Sequence, residues 1–133
     1  MSMKGGCLCG AVRYEASDPV VTAVCHCKHC QKISGSAFSL NVLFADDKVR
    51  FEGATHHYLD TGDSGKHLQR HFCPKCGSSL YTKAEALPGL TIVKAGTLDD
   101  TSGVKPAVQL YCERAQAWAP LASGTKNHPL AMS

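Results

Sequence analysis

Cysteine and histidine are concentrated in one six-residue stretch, CHCKHC, at positions 25–30. Thiolate and imidazole groups at this density are ligands suited to zinc. The chain contains eight cysteines. In a reducing compartment, cysteines are more often metal ligands or catalytic thiols than disulfide partners. The stretch therefore predicts a metal site, and the question is how the eight cysteines are divided among metal sites.

A second motif, FCPKCGSS at positions 72–79, contains two cysteines separated by two residues, Cys73 and Cys76. Such a pair is typical of a zinc knuckle, and the βαβ pattern that would favour a redox pair is missing around it. Cys7 and Cys9 are separated by one residue, so both side chains face the same side of an extended segment. Together these four thiols, the four-cysteine cluster, would complete a closed structural zinc site.

The remaining group is the three-cysteine cluster of Cys25, Cys27 and Cys30. Three protein ligands and one exchangeable ligand are typical of a catalytic zinc. A rival partition joins Cys27 and Cys30 to Cys73 and Cys76 as a zinc ribbon. The spacing of the cysteines favours neither partition strongly.

Short segments of alternating polar and apolar residues, separated by turn residues, predict strands over most of the chain. The predicted strands are 10–16, 20–25, 38–44, 48–53, 55–61, 66–72, 78–84, 90–96 and 107–113. ADD at 45–47 and GDSG at 62–65 are predicted to close two hairpins, and HCQKISGSA at 29–37 predicts a turn of helix. The pattern predicts one all-β domain of small sheets over residues 1–133.

Composition narrows the classes of function. The net charge of +3 is much smaller than the positive charge expected of a dedicated nucleic-acid binder, and it suits the binding of an anionic small substrate. No run of about 18 apolar residues predicts a membrane span. The first ten residues, MSMKGGCLCG, lack the apolar stretch of a secretory signal. We therefore expect a cytoplasmic protein without nucleic-acid or membrane partners.

Five motifs occur in an order that resembles a known family. CLCGAVRY, CHCKHCQKISGSAF, RHFCPKCGSSLY, AGTLDD and ERAQAW resemble, in that order, the motifs of the glutathione-dependent formaldehyde-activating enzyme family, which also contains the centromere protein V domain. The resemblance covers nearly the whole chain. It implies several small coiled antiparallel sheets around zinc knuckles, a fold shared with methionine-R-sulfoxide reductases and a zinc-binding exchange-factor chaperone.

The resemblance also implies how the cysteines are shared. A structural zinc would be held by the four-cysteine cluster and a catalytic, more labile zinc by the three-cysteine cluster, which agrees with the partition reached by counting ligands. The implied activity is that of a zinc-dependent carbon–sulfur lyase or synthase acting on a thiol–aldehyde adduct such as S-(hydroxymethyl)glutathione. The implied partners are a glutathione-like thiol and an aldehyde.

Four further residues are candidates for the site. His26 could be a fourth ligand or a general base beside a bound thiol. Residues that alternate with ligands usually face away from the metal, which favours an outward-facing side chain. Arg70 is the best candidate for binding a glutathione carboxylate, because a guanidinium makes two parallel hydrogen bonds. Lys28 and Lys32 would supply point charges. The alternative is that all three cations are solvated surface charges.

Cys112 fits neither cluster. Its surroundings, LYCERAQAW, resemble the strand that carries the nucleophilic cysteine of methionine-R-sulfoxide reductases, which is one alternative function. The GCGWPSF-type and HLGHVF-type stretches of those enzymes are absent, and a small buried thiol is the simpler interpretation. A second alternative is a non-enzymatic zinc module for protein or chromatin interaction, which a long basic extension would favour.

Overall fold

The computed structural model describes residues 2–120 and 122–131, and these contain eleven strands and one α-helix. The strands are β1 (Ser2–Gly6), β2 (Arg13–Ser17), β3 (Val21–Cys25), β4 (Ser39–Ala45), β5 (Val49–Glu52), β6 (His56–Thr61), β7 (His67–Phe72), β8 (Ser79–Ala84), β9 (Leu90–Lys94), β10 (Val108–Leu110) and β11 (Lys126–Asn127). The helix, α1, is Lys28–Ser34. The predicted all-β class is confirmed. Within the described ranges, no helix has the length and apolar character needed to cross a membrane.

The strands form two sheets. β1, β2 and β5 make a three-stranded antiparallel sheet with β2 at its centre. The other eight strands make one sheet in the order β11-β10-β3-β4-β9-β8-β7-β6. Neighbouring strands are antiparallel along the part of this sheet that runs β3-β4-β9-β8-β7-β6. In contrast, β10 runs parallel to both β3 and β11. One sheet is therefore small, as expected, and the other is broad.

One of the two predicted hairpins is confirmed. β6 and β7 pair antiparallel across the GDSG turn, which the Gly62 amide closes by donating to the Lys66 carbonyl at 2.9 Å. The hairpin predicted at 45–47 is wrong, because β4 lies between β3 and β9 while β5 pairs with β2 in the other sheet.

Burial along these two strands explains the difference. β4 is buried along most of its length, which requires neighbours at both edges and cover on both faces. β5 alternates half-buried and exposed residues, as expected for a strand of an antiparallel sheet that has one face in water. The 3₁₀ turn Asp46–Lys48 therefore carries the chain from one sheet to the other.

The main hydrophobic core lies between the two sheets. Tyr14 and Ala16 of β2 pack against Val42 and Phe44 of β4 and Val93 of β9. Phe44 and Val93 are fully buried, and each side chain of this kind contributes about 1.5–3 kcal/mol. Because neighbouring residues of a strand point to opposite faces, the other face of the large sheet is left for α1 and for polar side chains.

The single described helix is anchored at its first turn. The Sγ atom of Cys27 caps the helix by accepting a hydrogen bond from the Cys30 amide at 3.3 Å. The buried Gln31 amide group donates to the carbonyls of His26 at 2.7 Å and Arg114 at 3.1 Å. The helix is shorter than the segment 29–37 predicted from the sequence, and these bonds fix its N-terminal turn against the chain after β10.

Candidate functional site

The four-cysteine cluster is assembled from two distant segments. Cys7 and Cys9 follow β1, Cys73 and Cys76 follow β7, and the four sulfur atoms all lie within 4.8 Å of one another. The Cys9 sulfur is 3.6 Å from that of Cys7 and 3.8 Å from that of Cys73. A tetrahedron with zinc–sulfur bonds of ~2.3 Å has sulfur–sulfur edges of about 3.8 Å. The thiols therefore fit one zinc ion.

The buried half of this cluster is part of the fold's packing. Cys7 and Cys73 pack with Val12 and Leu80 in a second, smaller hydrophobic cluster. Backbone amides also point at the sulfurs, since Val12 donates to Cys7 at 3.2 Å and Lys75 to Cys73 at 3.4 Å. Amide hydrogen bonds stabilise the thiolate, which is the form that binds metal.

The exposed half of the cluster is supported by tight turns and by Ser78. The hydroxyl of Ser78 lies 3.2 Å from the Cys76 sulfur, and hydrogen bonds from the Ser78 side chain and backbone lower the pKa of Cys76 to about 5. Gly10 and Gly77, with φ values of 82° and 78°, close the turns after the two cysteine pairs. That conformation is readily adopted only by glycine.

The three-cysteine cluster lies where β3 meets α1. Cys25 ends β3, Cys27 caps the helix and Cys30 lies in its first turn, with all three sulfur atoms within 4.8 Å of one another. Hydrogen bonds from the Cys25 and Cys27 thiols lower the pKa of Cys30, although burial acts in the opposite direction. Three sulfur donors suit zinc and leave a fourth position for another ligand.

The structure therefore brings the cysteines together in the same two clusters that counting ligands gave. The alternative zinc ribbon of Cys27, Cys30, Cys73 and Cys76 does not form. Cys112 joins neither group. It lies in the 3₁₀ turn Cys112–Arg114 after β10, half-buried, with its sulfur 3.6 Å from the Gln109 carbonyl. All the described cysteines are free thiols, and Cys112 belongs to neither cluster.

His26 is buried, with 1% of its surface exposed, where the sequence favoured an outward-facing side chain. Its Nε2 lies 2.9 Å from the Gln109 side-chain oxygen, and its backbone amide donates to the Leu110 carbonyl at 3.0 Å. Its Nδ1 has no hydrogen-bond partner among the described residues. His26 therefore ties the β3–α1 connection to β10.

A cavity of about 360 Å³ lies beside α1. It is lined by Lys28, His29, Lys32 and Ile33 of the helix and by Tyr58, Asp60 and Arg70 of β6 and β7. All three basic residues singled out in the sequence are among these, so they lie around one cavity. Because α1 also carries Cys30, the cavity and the three-cysteine cluster share one element.

Asp60 organises the charged side of this cavity. Its Oδ2 accepts hydrogen bonds from Arg70 Nε at 2.9 Å and from His29 Nδ1 at 2.8 Å. Burial would raise the pKa of Asp60, but the hydrogen bonds from His29 and Arg70 outweigh it and lower the pKa. Arg70 is 7% exposed and is engaged through Nε, which leaves its two Nη groups for a ligand.

A row of polar side chains lies on the α1 side of the large sheet. Lys94 of β9 donates to the Asn41 side-chain oxygen at 3.1 Å, and the Asn41 amide group donates to the Ser39 hydroxyl at 2.9 Å. Ser39 lies directly opposite Cys25 in the register of β3 and β4. Burial lowers the pKa of Lys94, whereas the negative charge of Cys30 acts to raise it.

Sequence reasoning missed this row and Asp60. The alternation in SLNVLFA at 39–45 places Ser39 and Asn41 on one face of a strand and was a usable signal. Lys94 and Asp60 are single charges in short strands, and their sequence neighbours give no indication of their partners.

The chain is similar to known proteins over most of its length. A family model described as "Glutathione-dependent formaldehyde-activating enzyme" matches residues 2–114. A Halomonas elongata protein is 28% identical over 130 residues, which cover 92% of this chain and 83% of that protein. A Talaromyces marneffei protein is 33% identical over 103 residues, 73% of this chain and 54% of its own length. Both carry the name "Putative glutathione-dependent formaldehyde-activating enzyme".

A solved structure shows the same fold. The crystal structure of a Rhodobacter sphaeroides protein aligns with a TM-score of 0.58 at 23% identity, over 78% of this chain and 92% of that one. Since the family model spans most of the sequence, the chain belongs to the glutathione-dependent formaldehyde-activating enzyme family.

Proposed function

We propose that this protein is a zinc-dependent carbon–sulfur lyase or synthase that acts on a thiol–aldehyde adduct such as S-(hydroxymethyl)glutathione. The observation that carries the proposal is the three-cysteine cluster, which lies at the start of the helix that also lines a cavity rich in cations. Family membership supports a thiol and an aldehyde as the substrate classes. In this proposal the four-cysteine cluster holds a structural zinc that joins residues 7–9 to 73–76.

The reaction needs a thiolate. In the direction of synthesis, the glutathione sulfur adds to the carbonyl carbon of formaldehyde and one carbon–sulfur bond forms. The carbonyl electrons move to oxygen, which takes a proton and becomes the hydroxyl of the adduct; lysis is the reverse. A free thiol with a pKa of about 8.5 is mostly protonated at neutral pH. Zinc bound to the three cysteines would supply stabilisation of the substrate sulfur as its thiolate.

The cavity residues hold the rest of the thiol substrate. Glutathione carries two carboxylates, and Arg70, Lys28 and Lys32 offer three cations against the single carboxylate of Asp60. Arg70 is the main contact, because Asp60 fixes its orientation and leaves both Nη groups to make parallel hydrogen bonds. Lys28 and Lys32 are exposed and add a longer-range attraction for anions.

Exchange NMR tests the proposal. ¹³C-formaldehyde and glutathione are mixed, and the exchange rate between free formaldehyde and the hydroxymethyl adduct is measured with and without zinc-loaded protein. The wild type and a Cys112→Ser control should accelerate exchange, and Cys25→Ser/Cys27→Ser should not. A wild-type protein that holds two zinc ions per chain but leaves the exchange rate unchanged would overturn the proposed function.

A further inference from the structure

We propose that Lys94 is a positioning residue. Its ammonium group neutralises and orients a substrate thiolate at the three-cysteine cluster. The inference rests on the proposed function, because it requires this cluster to accept a sulfur ligand from the substrate. It adds a residue that the cysteine motifs do not include.

The hydrogen bonds of Lys94 place it on the same side of the large sheet as the three cysteines. β9 pairs with β4, so that Lys94 is directly opposite Asn41, and β4 pairs with β3, so that Ser39 is directly opposite Cys25. The chain of bonds Lys94–Asn41–Ser39 connects these positions. Asn41 and Ser39 are 6% and 2% exposed, so the row is held by packing as well as by hydrogen bonds.

Lys94 differs from the other partly buried cations in what it contacts. Arg70 is paired with Asp60, and Lys83 is paired with Asp46. Lys94 makes no ion pair with a carboxylate in the described part of the chain, and its hydrogen bond goes to a neutral amide oxygen. A partly buried ammonium needs a compensating negative charge, and the three-cysteine cluster lies at the far end of the hydrogen-bonded row, where Ser39 is opposite Cys25.

The charge of the site explains why a cation is needed. Three thiolates on a divalent ion leave one net negative charge, and a fourth thiolate from the substrate would make two. Each added negative charge in a partly buried site is costly unless it is compensated. Lys94 brings the complex back to a single negative charge, so it should favour an anionic fourth ligand over a neutral one.

Thiolate binding can be measured directly on the Co²⁺-loaded protein, whose sulfur-to-cobalt absorbance rises with each bound thiolate. Three probes are titrated: glutathione, 2-mercaptoethanol and the neutral ligand imidazole. Lys94→Met should raise the dissociation constants of both thiols by about tenfold or more, on the scale of a charged hydrogen bond, and change that of imidazole less than twofold. Arg70→Met should weaken glutathione only. Lys105→Met, which removes an exposed lysine, is the charge control and should change none of the three.

The outcomes separate the two proposals. If wild-type protein shows no added thiolate absorbance with glutathione, the proposed function fails. Two results would overturn only the role of Lys94, given a wild type that binds thiols. In one, Lys94→Met binds the thiols as tightly as the wild type; in the other, its affinity for imidazole falls as much as its affinity for the thiols. Should Lys94→Met not retain Co²⁺ at the three-cysteine cluster, Lys94→Arg decides. If Lys94→Arg retains its affinity for the thiols, the inference is supported. If Lys94→Arg loses affinity for the thiols and for imidazole to the same extent, the inference is refuted.

Discussion

Losing the two cysteine clusters should have very different effects on stability. The perturbations compared are Cys9→Ser/Cys76→Ser and Cys25→Ser/Cys27→Ser, each of which removes two ligands that are not fully buried. The first pair leaves two cysteines at the four-cysteine cluster, and the second leaves one at the three-cysteine cluster, so neither retains a complete site. The matched control is Cys112→Ser.

The expected magnitude follows from the length of chain that each cluster closes. Cys9 and Cys73 are 64 positions apart, and cross-linking a loop of that length stabilises the fold by about 4 kcal/mol in the chain-entropy treatment of cross-links. The three-cysteine cluster closes a loop of roughly six residues, for which the same treatment gives about 2 kcal/mol. Against a typical stability of ~5–15 kcal/mol, losing the first cluster should remove a large share of the free energy of unfolding, and losing the second about half as much.

Urea unfolding of the zinc-loaded proteins, followed by circular dichroism, measures both losses. A chromogenic chelator reports zinc per chain in the same samples. A mild chelator should also remove one zinc from the wild type while the circular dichroism stays native, because the three-cysteine cluster lacks a fourth protein ligand. The reasoning is refuted if Cys25→Ser/Cys27→Ser costs as much stability as Cys9→Ser/Cys76→Ser, or if both metals leave together as the wild type unfolds.

Three further predictions concern single side chains. Arg70→Met should raise KM for glutathione by about tenfold, the scale of a charged hydrogen bond, and leave KM for 2-mercaptoethanol within twofold; equal changes for both thiols would show that Arg70 does not bind a carboxylate. Asp60 has a lowered pKa in the fold, so its stabilisation is complete above pH ~4 and is lost as the pH falls through the folded-state pKa. The difference in free energy of unfolding between wild type and Asp60→Asn, measured by urea unfolding, should therefore shrink as the pH falls below ~4. A difference that stays constant from pH 7 to 3 would contradict this. Cys112→Ser should leave the exchange rate of glutathione with formaldehyde intact, and loss of a methionine sulfoxide reductase activity in this variant would instead favour the alternative enzyme.

The cysteine clusters were predictable because their chemistry is local. Spacings of one and two residues show which neighbouring cysteines can share an ion, but they also allow the zinc ribbon. The resemblance to the family is what favours keeping Cys25, Cys27 and Cys30 together. Nine of the eleven described strands were also predicted, since alternation of polar and apolar residues reflects the two faces of a sheet, whereas β1 and β11 were not. Neither argument needs the strand order, so both hold without the structure.

Apart from the β6–β7 hairpin, the partners of the strands could not be predicted, because they depend on register and on strand order. Adjacency in sequence suggested that 38–44 and 48–53 pair, yet β4 and β5 belong to different sheets. Lys94 meets Asn41 only because β9 lies beside β4, and 53 positions separate the two residues. Asp60 meets His29 because α1 packs near the β6–β7 hairpin, and no local pattern encodes that contact.

The motif ERAQAW gains a structural explanation from the same long-range contacts. The Arg114 carbonyl accepts a hydrogen bond from Gln31 at 3.1 Å, and the Gln116 amide group donates to the Gln31 side-chain oxygen at 2.6 Å. The Gln31 amide group also holds the His26 carbonyl, which lies between Cys25 and Cys27. This late segment therefore braces the turn that carries the three-cysteine cluster. Its residues act on the site by holding the backbone between two ligands, although the motif contributes no side chain to either cysteine cluster.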